Sequence, residues 1–261
     1  MLMTKLIKNQ KDIEGIRISC RELAKIFAVL ETMVKPGVTT AELEQTACDL
    51  MAKAGGRPAF KNYKTHGGAK PFPTALCTSL NEEIVHAPAL PSRTLKAGDI
   101  IGLDVGLELN GYFSDMARTL AVGKISPSAK KLLSVTNEAL ALGIAQIKPG
   151  NTLNHIGQAI QNYVEKNNMA VVRDLVGHGV GLDVHEDPQI PHYAIKESGL
   201  PNVKLQAGMV LALEPMVTLG DWQIADAADG FTFSTADKSL AAQFEDTVLV
   251  TDTGHEILTK I

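Results

Sequence analysis

The sequence predicts a mixed fold of helices and strands that is built from two similar halves. Hydrophobic residues at helical spacing over 13–34 are followed by Lys-Pro-Gly and by a second helix, which opens at a capping box and ends near Gly55. The same order of helix, Lys-Pro-Gly and helix returns over 126–167. The two Lys-Pro-Gly segments end at Gly37 and Gly150, which lie 113 residues apart (150 − 37). The helical part of the chain therefore repeats once.

The predicted strands repeat in the same way. Residues 95–104 and 205–214 are identical at four of ten positions, and they end in Asp104 and Glu214. We expect two α/β halves around a pseudo-two-fold axis, with paired acids converging near it; chance is the alternative explanation of the repeat. No flexible linker separates the halves, which predicts a single domain over 1–261. Its two repeats run approximately over residues 13–122 and 126–251.

Composition and charge limit the class of protein. The chain has 261 residues, is 45% hydrophobic and carries a formal charge of −4, which predicts a globular protein with a sizeable core. A slightly acidic chain is a poor candidate for nucleic-acid binding, and no apolar run approaches the ~20 residues of a membrane span. No secretory signal is visible, and three distant cysteines indicate free thiols in a reducing compartment. We therefore expect a cytoplasmic protein.

A hairpin over residues 99–122 carries the first pair of acids that could act together. Asn110-Gly111 between two alternating apolar runs predicts a two-residue type I′ turn. With that turn Asp115 faces Gly106, and Asp104 lies diagonally from Asp115 on the same face, roughly 7–8 Å away at the backbone. Two carboxylates at that spacing can reach one metal centre, and we expect Gly106 to leave open space opposite Asp115. The alternative is a solvent-facing pair on an edge hairpin, which the apolar flanks disfavour.

Two further regions offer metal-binding side chains. A glycine-rich stretch, 177–188, contains His178 and His185, and this pairing favours a functional site although a lone histidine is more often structural. Glu214 and Glu245 each stand in an apolar strand-like run, where a carboxylate is costly unless it is paired or bound to metal. With the two hairpin acids, the set comprises four carboxylates and one imidazole. Such donors suit Mn(II), Fe(II), Co(II) or Zn(II).

Taken in order, these residues resemble the metal ligands of a known family. Asp104, Asp115, His178, Glu214 and Glu245 are similar to the five ligands of the methionine aminopeptidases and their pita-bread relatives, the X-Pro peptidases and creatinase. The matching motifs are the spaced Asp pair, Gly-His-Gly-Val-Gly with His-Glu-Asp-Pro, Glu-Pro-Met and the final Glu. The resemblance covers nearly the whole chain. It implies an α+β pita-bread fold in which a curved antiparallel sheet is covered by helices.

The resemblance implies a centre of two divalent metal ions, with cobalt, manganese, iron and zinc as candidates. Asp115 and Glu245, which are also equivalent positions of the repeat, would bridge the two ions. Asp104 would hold one ion, and His178 and Glu214 would hold the other. The nucleophile would be a metal-bound water or hydroxide, because a bound ion lowers the pKa of water toward neutrality.

The same resemblance assigns catalytic and substrate-binding residues. Glu214 would also move the proton, His185 would stabilise the oxyanion of the tetrahedral intermediate, and His86 would contact the first peptide nitrogen. An apolar slot with a thiol and aromatic edges suits a thioether side chain. The residues that would line this slot, for each of which ordinary core packing is an equal alternative, are Phe60, Tyr63, Phe72, Cys77 and Phe231.

The function that the resemblance implies is removal of the N-terminal methionine from nascent proteins and peptides. Glu214 follows His178 by 36 positions (214 − 178), which is too short for the helical insert of the type II enzymes. The segment 77–86 resembles the substrate pocket of the type I enzymes. Because type I relatives are typically monomers, we expect a monomer whose partners are peptide N-termini, without a membrane or a nucleic acid. The resemblance leaves open whether the protein docks at the ribosome.

Other residues depart from the type I pattern. Residues 114–119 resemble the X-Pro branch, and Asp246 stands where type I enzymes usually have His. Gly106 and Ala212 replace threonines that often lie near the metals, and residues 64–71 are extra length beside the pocket. An X-Pro dipeptidase or aminopeptidase on the same scaffold is therefore the main alternative. A non-catalytic binding protein of this fold is a third interpretation, which the complete ligand set disfavours.

Overall fold

The computed structural model describes residues 6–64 and 70–260 of the chain. Within them lie four complete α-helices, and none of these has the length and apolar character needed to cross a bilayer. In chain order the helices are α1 (Gln10–Met33), α2 (Thr40–Lys53), α3 (Pro127–Ile144) and α4 (Leu153–Lys166). All four coincide, apart from a few terminal residues, with the helices that the sequence pattern predicts.

Local chemistry sets the ends of these helices. At the start of α2 the Thr39 hydroxyl accepts a hydrogen bond from the Glu42 N–H at 3.3 Å. The Glu42 carboxylate in turn accepts one from the Thr39 N–H at 2.8 Å, which completes the predicted capping box. Ser126 caps α3 ahead of a first-turn proline. Gly37 and Gly150 both adopt φ +93°, which glycine tolerates, so the chain turns there toward the second helix of each pair.

Fourteen strands, all paired antiparallel, form two sheets within the described residues. Eleven of them form a large sheet, and β3, β11 and β12 form a small one. The strands are β1 (Arg57–Pro58), β2 (Leu76–Leu80), β3 (Glu83–Val85), β4 (Ile100–Leu109), β5 (Tyr112–Ala121), β6 (Ala170–Val171), β7 (Gly177–Gly179), β8 (Glu186–Ile190), β9 (Val210–Leu213), β10 (Met216–Thr218), β11 (Ile224–Asp226), β12 (Phe233–Thr235), β13 (Ala241–Val250) and β14 (His255–Ile257).

The large sheet joins strands from two parts of the chain, which are the residues of the two predicted repeats, 13–122 and 126–251. Its central order is β1-β4-β5-β13-β9-β7-β8, and the two parts meet where β5 pairs with β13 at Ala117 and Glu245. β2 adds to β4, while β10 and β14 add to β13. Helices combined with a largely separate antiparallel sheet confirm the predicted α+β class.

β4 and β5 form the predicted hairpin. Asn110 and Gly111 adopt φ values of 55° and 82°, as a type I′ turn requires, and Gly106 pairs with Asp115. The hairpin does not lie at an edge, because β13 pairs with β5 while β1 and β2 pair with β4. Asp104 and Asp115 are accordingly only 7% and 2% exposed. The alternative of a solvent-facing pair of acids is therefore wrong.

The helices determine which face of the sheet carries the acids. α1 packs against β4 and β5, and α2 packs against β1 and β2; α3 packs against β9, β10 and β13, and α4 packs against α3 and β6. Leu103 and Val105 belong to the core under α1 and α2, so alternation along β4 turns Asp104 to the opposite face. On β13 the same alternation places Phe244 in the core under α3 and α4 and turns Glu245 away from it. The acids therefore point away from these two cores, while α1 also packs against Val210, Ala212 and Leu249 on the face that carries Glu245.

Candidate metal centre and active site

The five predicted metal ligands come from five consecutive strands of the large sheet. Along the order β4-β5-β13-β9-β7, Asp104, Asp115 and Glu245 lie on the first three strands. Glu214 follows β9 directly, and His178 is the middle residue of β7. Each is at most 9% exposed. Because neighbouring strands run side by side on one sheet, residues that are far apart in sequence reach a single point.

The ligand atoms of this cluster lie within metal-binding reach of one another. Two groups of three, His178 with Glu214 and Glu245, and Asp104 with Asp115 and Glu245, each place one donor atom per residue within 4.8 Å. His178 Nε2 also lies 3.4 Å from Glu214 Oε1 and 3.9 Å from Asp115 Oδ2. The two groups share Glu245, so they describe adjacent positions rather than separate sites.

The electrostatics of the cluster call for a cation. Burial first, and mutual repulsion second, raise the pKa of Asp115 and Glu245 well above the ordinary range. The pKa of Glu214 is likewise raised well above its usual value, and burial raises that of Asp104 to about 7. Three oxygens, Asp104 Oδ1, Asp115 Oδ1 and Glu245 Oε1, are buried without a hydrogen-bond partner among the described residues. Divalent ions would satisfy these oxygens, so the residues present fit a metal centre.

Neighbouring groups orient two of the ligands. His178 Nδ1 lies 2.9 Å from the Gly179 carbonyl, which places its Nε2 toward the acids. The Gln243 amide donates to Glu214 Oε2 at 3.0 Å, and the Glu214 N–H donates to His192 Nε2 at 3.2 Å. Neither supporting residue was predicted from the sequence. Gln243 stands two residues before Glu245 and so shares its face of β13, a signal that was available; nothing local marks His192.

A cavity of about 390 Å³ opens over the ligand cluster. Every predicted site residue lines it, and so do Lys70, Gly230 and Phe233, which were not predicted from the sequence. The five predicted ligands line it on the side of the large sheet. The walls contain the predicted substrate residues, namely Phe60, Tyr63, Phe72, Cys77, His86, His185 and Phe231. The roles of these residues stay predictions, but the structure brings all of them to one place.

Ring contacts arrange the walls of the cavity. Phe72 packs edge-on against Phe231 with centroids 5.5 Å apart, although the two are far apart in sequence. His185 lies between Tyr63 and His178, with centroid separations of 4.8 and 4.5 Å. Contacts between the two parts of the chain therefore hold the walls of the cavity together.

The cavity histidines are neutral at neutral pH. Burial lowers the pKa of His178 to about 4. Burial also lowers the pKa of His86 to about 4, and the nearby His178 lowers it slightly further. Burial lowers the pKa of His185 to about 2. A neutral imidazole can donate one hydrogen bond and offer one lone pair. That chemistry suits His178 as a metal ligand and suits the other two as hydrogen-bonding groups.

The expected open space at Gly106 is wrong. A Cβ at Gly106 would lie 2.7 Å from Cε1 of Phe60 and 3.0 Å from the Ala59 Cβ. The absence of a side chain therefore admits the Phe60 ring, which in turn lines the cavity. Gly106 shapes the pocket through Phe60 and leaves no room of its own.

Two of the departures from the type I pattern contact each other. Arg118 Nη2 lies 2.7 Å from Asp246 Oδ1, and the Thr259 hydroxyl donates to the same oxygen at 2.8 Å. Arg118 Nη1 donates to the carbonyls of Ala117, at 2.8 Å, and of Glu245. The pair thus joins β5 to β13 beneath the ligand-bearing face. Of the extra segment beside the pocket, residues 65–69 lie outside the described residues.

A buried cluster of carboxylates and histidine that lines a cavity, on a helix-covered antiparallel sheet, defines a metal-dependent enzyme site. The family model of metallopeptidase family M24 matches residues 14–252, and the chain belongs to this family. The resemblance deduced from the motifs is therefore confirmed.

Individual relatives sharpen the comparison. A methionine aminopeptidase of Clostridium acetobutylicum is 45% identical over 254 residues, covering 97% of this chain and 98% of that protein. The crystal structure of methionine aminopeptidase from Thermotoga maritima superposes with a TM-score of 0.90 at 41% identity, covering 98% and 99% of the two chains. Prolidase from Pyrococcus furiosus matches with a TM-score of 0.74 at 25% identity, covering 100% of this chain and 67% of that one. The pita-bread fold is thereby confirmed.

Proposed function

We propose that this chain is a methionine aminopeptidase that removes the N-terminal methionine from peptides and newly made proteins. The observation that carries the proposal is the position of the five-ligand cluster in the lining of an aromatic cavity. The full-length similarity to proteins named methionine aminopeptidase supports the same substrate.

The proposal includes two divalent ions, drawn from cobalt, manganese, iron and zinc. Asp104, Asp115 and Glu245 would hold one ion, while His178 and Glu214 would hold the other with the two bridging acids. When bound, such ions lower the pKa of a water molecule and polarise the scissile carbonyl. The three buried oxygens without partners support this assignment.

The residues of the chain would divide the remaining work. Glu214 Oε1 would take and return a proton, since its Oε2 is already held by the Gln243 amide. His185 would donate to the oxyanion, and His86 would bind the first peptide nitrogen. The lowered pKa of both histidines keeps them neutral, so neither repels the metal ions.

The cavity walls fit a methionine side chain. Phe60, Tyr63, Phe72 and Phe231 supply aromatic surface, which attracts a thioether sulfur by up to about 1.5 kcal/mol. Burial raises the pKa of the Cys77 thiol well above its usual value, so this group is uncharged. A mainly aromatic wall, which Lys70 also lines, selects against polar first residues.

The test compares two peptides with protein that has been reconstituted with metal. Met-Ala-Ser should lose its methionine, and an Ala-Pro peptide should not be cleaved. The X-Pro alternative has one specific observation behind it. Arg118, in the segment 114–119 that resembles that branch, pairs with Asp246, which stands where type I enzymes usually have His. Cleavage only before proline would overturn the methionine assignment in favour of that alternative.

We further propose that the protein acts as a monomer in the cytoplasm. None of its three cysteines forms a disulfide in the described residues, which supports a reducing compartment.

Docking at the ribosome would bring the site to emerging N-termini, and cosedimentation with ribosomes at two salt concentrations tests it. Loss of the protein from the ribosomal pellet at both concentrations would count against docking.

A further inference from the structure

A buried ion pair ties the N-terminal segment to the turn that carries His185. The Lys8 side chain is 1% exposed and the Glu186 side chain is 5% exposed. The Lys8 ammonium donates to Oε2 of Glu186. Buried charges are costly unless each meets its partner, so this contact fixes the relative position of the two segments. Glu186 directly follows His185, whose ring lines the cavity.

The second carboxylate oxygen of Glu186 organises the turn itself. Its Oε1 accepts hydrogen bonds from the backbone N–H groups of Leu182 at 2.6 Å and Asp183 at 2.8 Å. The Gly181 N–H closes the turn by donating to the Asp183 carbonyl at 3.0 Å. Leu182 is 39% exposed, so burial of apolar surface contributes little at this point. The turn therefore folds around one carboxylate, and that carboxylate is held by Lys8.

Lys8 reaches Glu186 from a fixed backbone. Its N–H donates to the Gly208 carbonyl at 2.8 Å. A Cβ at Gly208 would lie 3.1 Å from the Lys8 carbonyl oxygen, and one at Gly181 would lie 3.3 Å from the Lys8 Cε. Both glycines thus allow the lysine to pass closely between the two loops.

We propose that Lys8 is a positioning residue for His185. The ammonium fixes the Glu186 carboxylate, the carboxylate fixes the turn, and the turn sets where the imidazole stands against Tyr63 and His178. The inference rests on the proposed function, in which His185 stabilises the oxyanion. It makes the segment before α1 part of the support of the active site.

The test is a double-mutant cycle on Met-Ala-Ser cleavage by the metal-reconstituted enzyme. Lys8→Met should lower kcat by about tenfold to a hundredfold, because small misplacements of a catalytic group have effects of that size. Its KM and its calorimetric metal affinity should stay near the wild-type values. In a His185→Ala background, Lys8→Met should cause no further loss of kcat. The conservative variant Lys8→Arg, in contrast to Lys8→Met, should keep most of the wild-type kcat.

The controls separate positioning from general stability. Arg17, on α1, forms a different ion pair, with Glu256 at 2.8 Å. Arg17→Met removes that pair and should leave kcat unchanged. An equal loss of kcat from Lys8→Met in both backgrounds would overturn the proposal. If His185→Ala alone keeps full kcat, the role of His185 in the proposed function is wrong instead. If Lys8→Met fails to fold, the neutral pair Lys8→Gln with Glu186→Gln replaces it in the same cycle, with the same outcomes.

Discussion

At Gly106, the absence of one methyl group determines the shape of the substrate cavity. The Phe60 ring occupies the space where a Cβ would stand, at 2.7 Å. Gly106→Ala should push the ring toward the cavity, raise KM for Met-Ala-Ser several-fold and lower the free energy of unfolding by about 1–3 kcal/mol. Steady-state kinetics and chemical denaturation measure the two effects.

The matched control is Gly254→Ala, because no atom lies within 4 Å of a Cβ placed there. It should leave KM unchanged. Adding Phe60→Leu to Gly106→Ala should relieve the crowding and bring the raised KM part of the way back to the wild-type value. A normal KM for Gly106→Ala alone would show that the Phe60 ring does not bound the substrate.

Glu214 combines two tasks, since it would bind metal and move a proton. Glu214→Ala should lower kcat by about 10³-fold or more, because general acid–base catalysis alone contributes about 10²–10⁴-fold. The circular dichroism spectrum should stay that of a folded protein, since removal of a buried carboxylate also relieves repulsion with Asp104. Glu138→Ala on the exposed face of α3 serves as the control. Substantial residual turnover by Glu214→Ala would refute the assigned role.

Among the elements, the junction of β5 and β13 carries the two acids that would bridge the metal ions. Arg118 crosses this junction and pairs with the 6% exposed Asp246. Arg118→Met leaves that carboxylate with the Thr259 hydroxyl alone, and should lower the free energy of unfolding by about 1–3 kcal/mol. Metal affinity should weaken as well, since Asp115 and Glu245 sit on the two strands.

Thermal denaturation and calorimetric metal titration check this prediction. The double variant Arg118→Met with Asp246→Leu should regain stability, because neither charge is then left unpaired. If Arg118→Met alone left both stability and metal affinity intact, the pair would have no part in holding the strands together.

Elements defined by local chemistry could be predicted from the sequence. The capping box at Thr39 and the turn at Asn110-Gly111 depend on residues within one turn of chain, and both are confirmed. The register of β4 on β5 followed from that turn, which placed Asp104 and Asp115 on one face.

Contacts across the chain could not be predicted in the same way. Phe60 fills the space at Gly106, and Arg118 meets Asp246, only because the sheet brings distant segments together. A single sequence contains no signal for such pairs. The convergence of the five predicted ligands was an exception, because the ordered motifs of a known family indicated it, and their role as ligands stays a prediction.

At the scale of the whole molecule, the two-part organisation within one domain stays a prediction. Corresponding features support it: Thr39 forms an isolated bridge with Thr94, and Thr152 forms one with Lys204. The site draws ligands from both parts, Asp104 from the first and Glu214 from the second. Unfolding in one cooperative transition, followed by fluorescence and circular dichroism together, is expected of a single domain. Separate transitions would indicate two independently folding halves.

Because the ligands come from both parts of the chain, metal ions should also hold the molecule together. Removal of the metal leaves four buried carboxylates that repel each other. A chelator should therefore lower Tm, and an ion present at about 100-fold its Kd should stabilise the protein by about 2.7 kcal/mol. Differential scanning calorimetry with and without chelator measures this change, and an unchanged Tm would argue against a bound metal.

The most direct test of the account is a calorimetric titration of the metal-free protein with Mn(II), Fe(II), Co(II) and Zn(II), with Met-Ala-Ser cleavage followed at each addition. We expect two ions to bind per chain, and cleavage, absent after chelation, to return as they bind. Aspartate-to-asparagine replacement at Asp104 should weaken that binding. Full cleavage by the metal-free protein, or no binding of any of the four ions, would contradict the account.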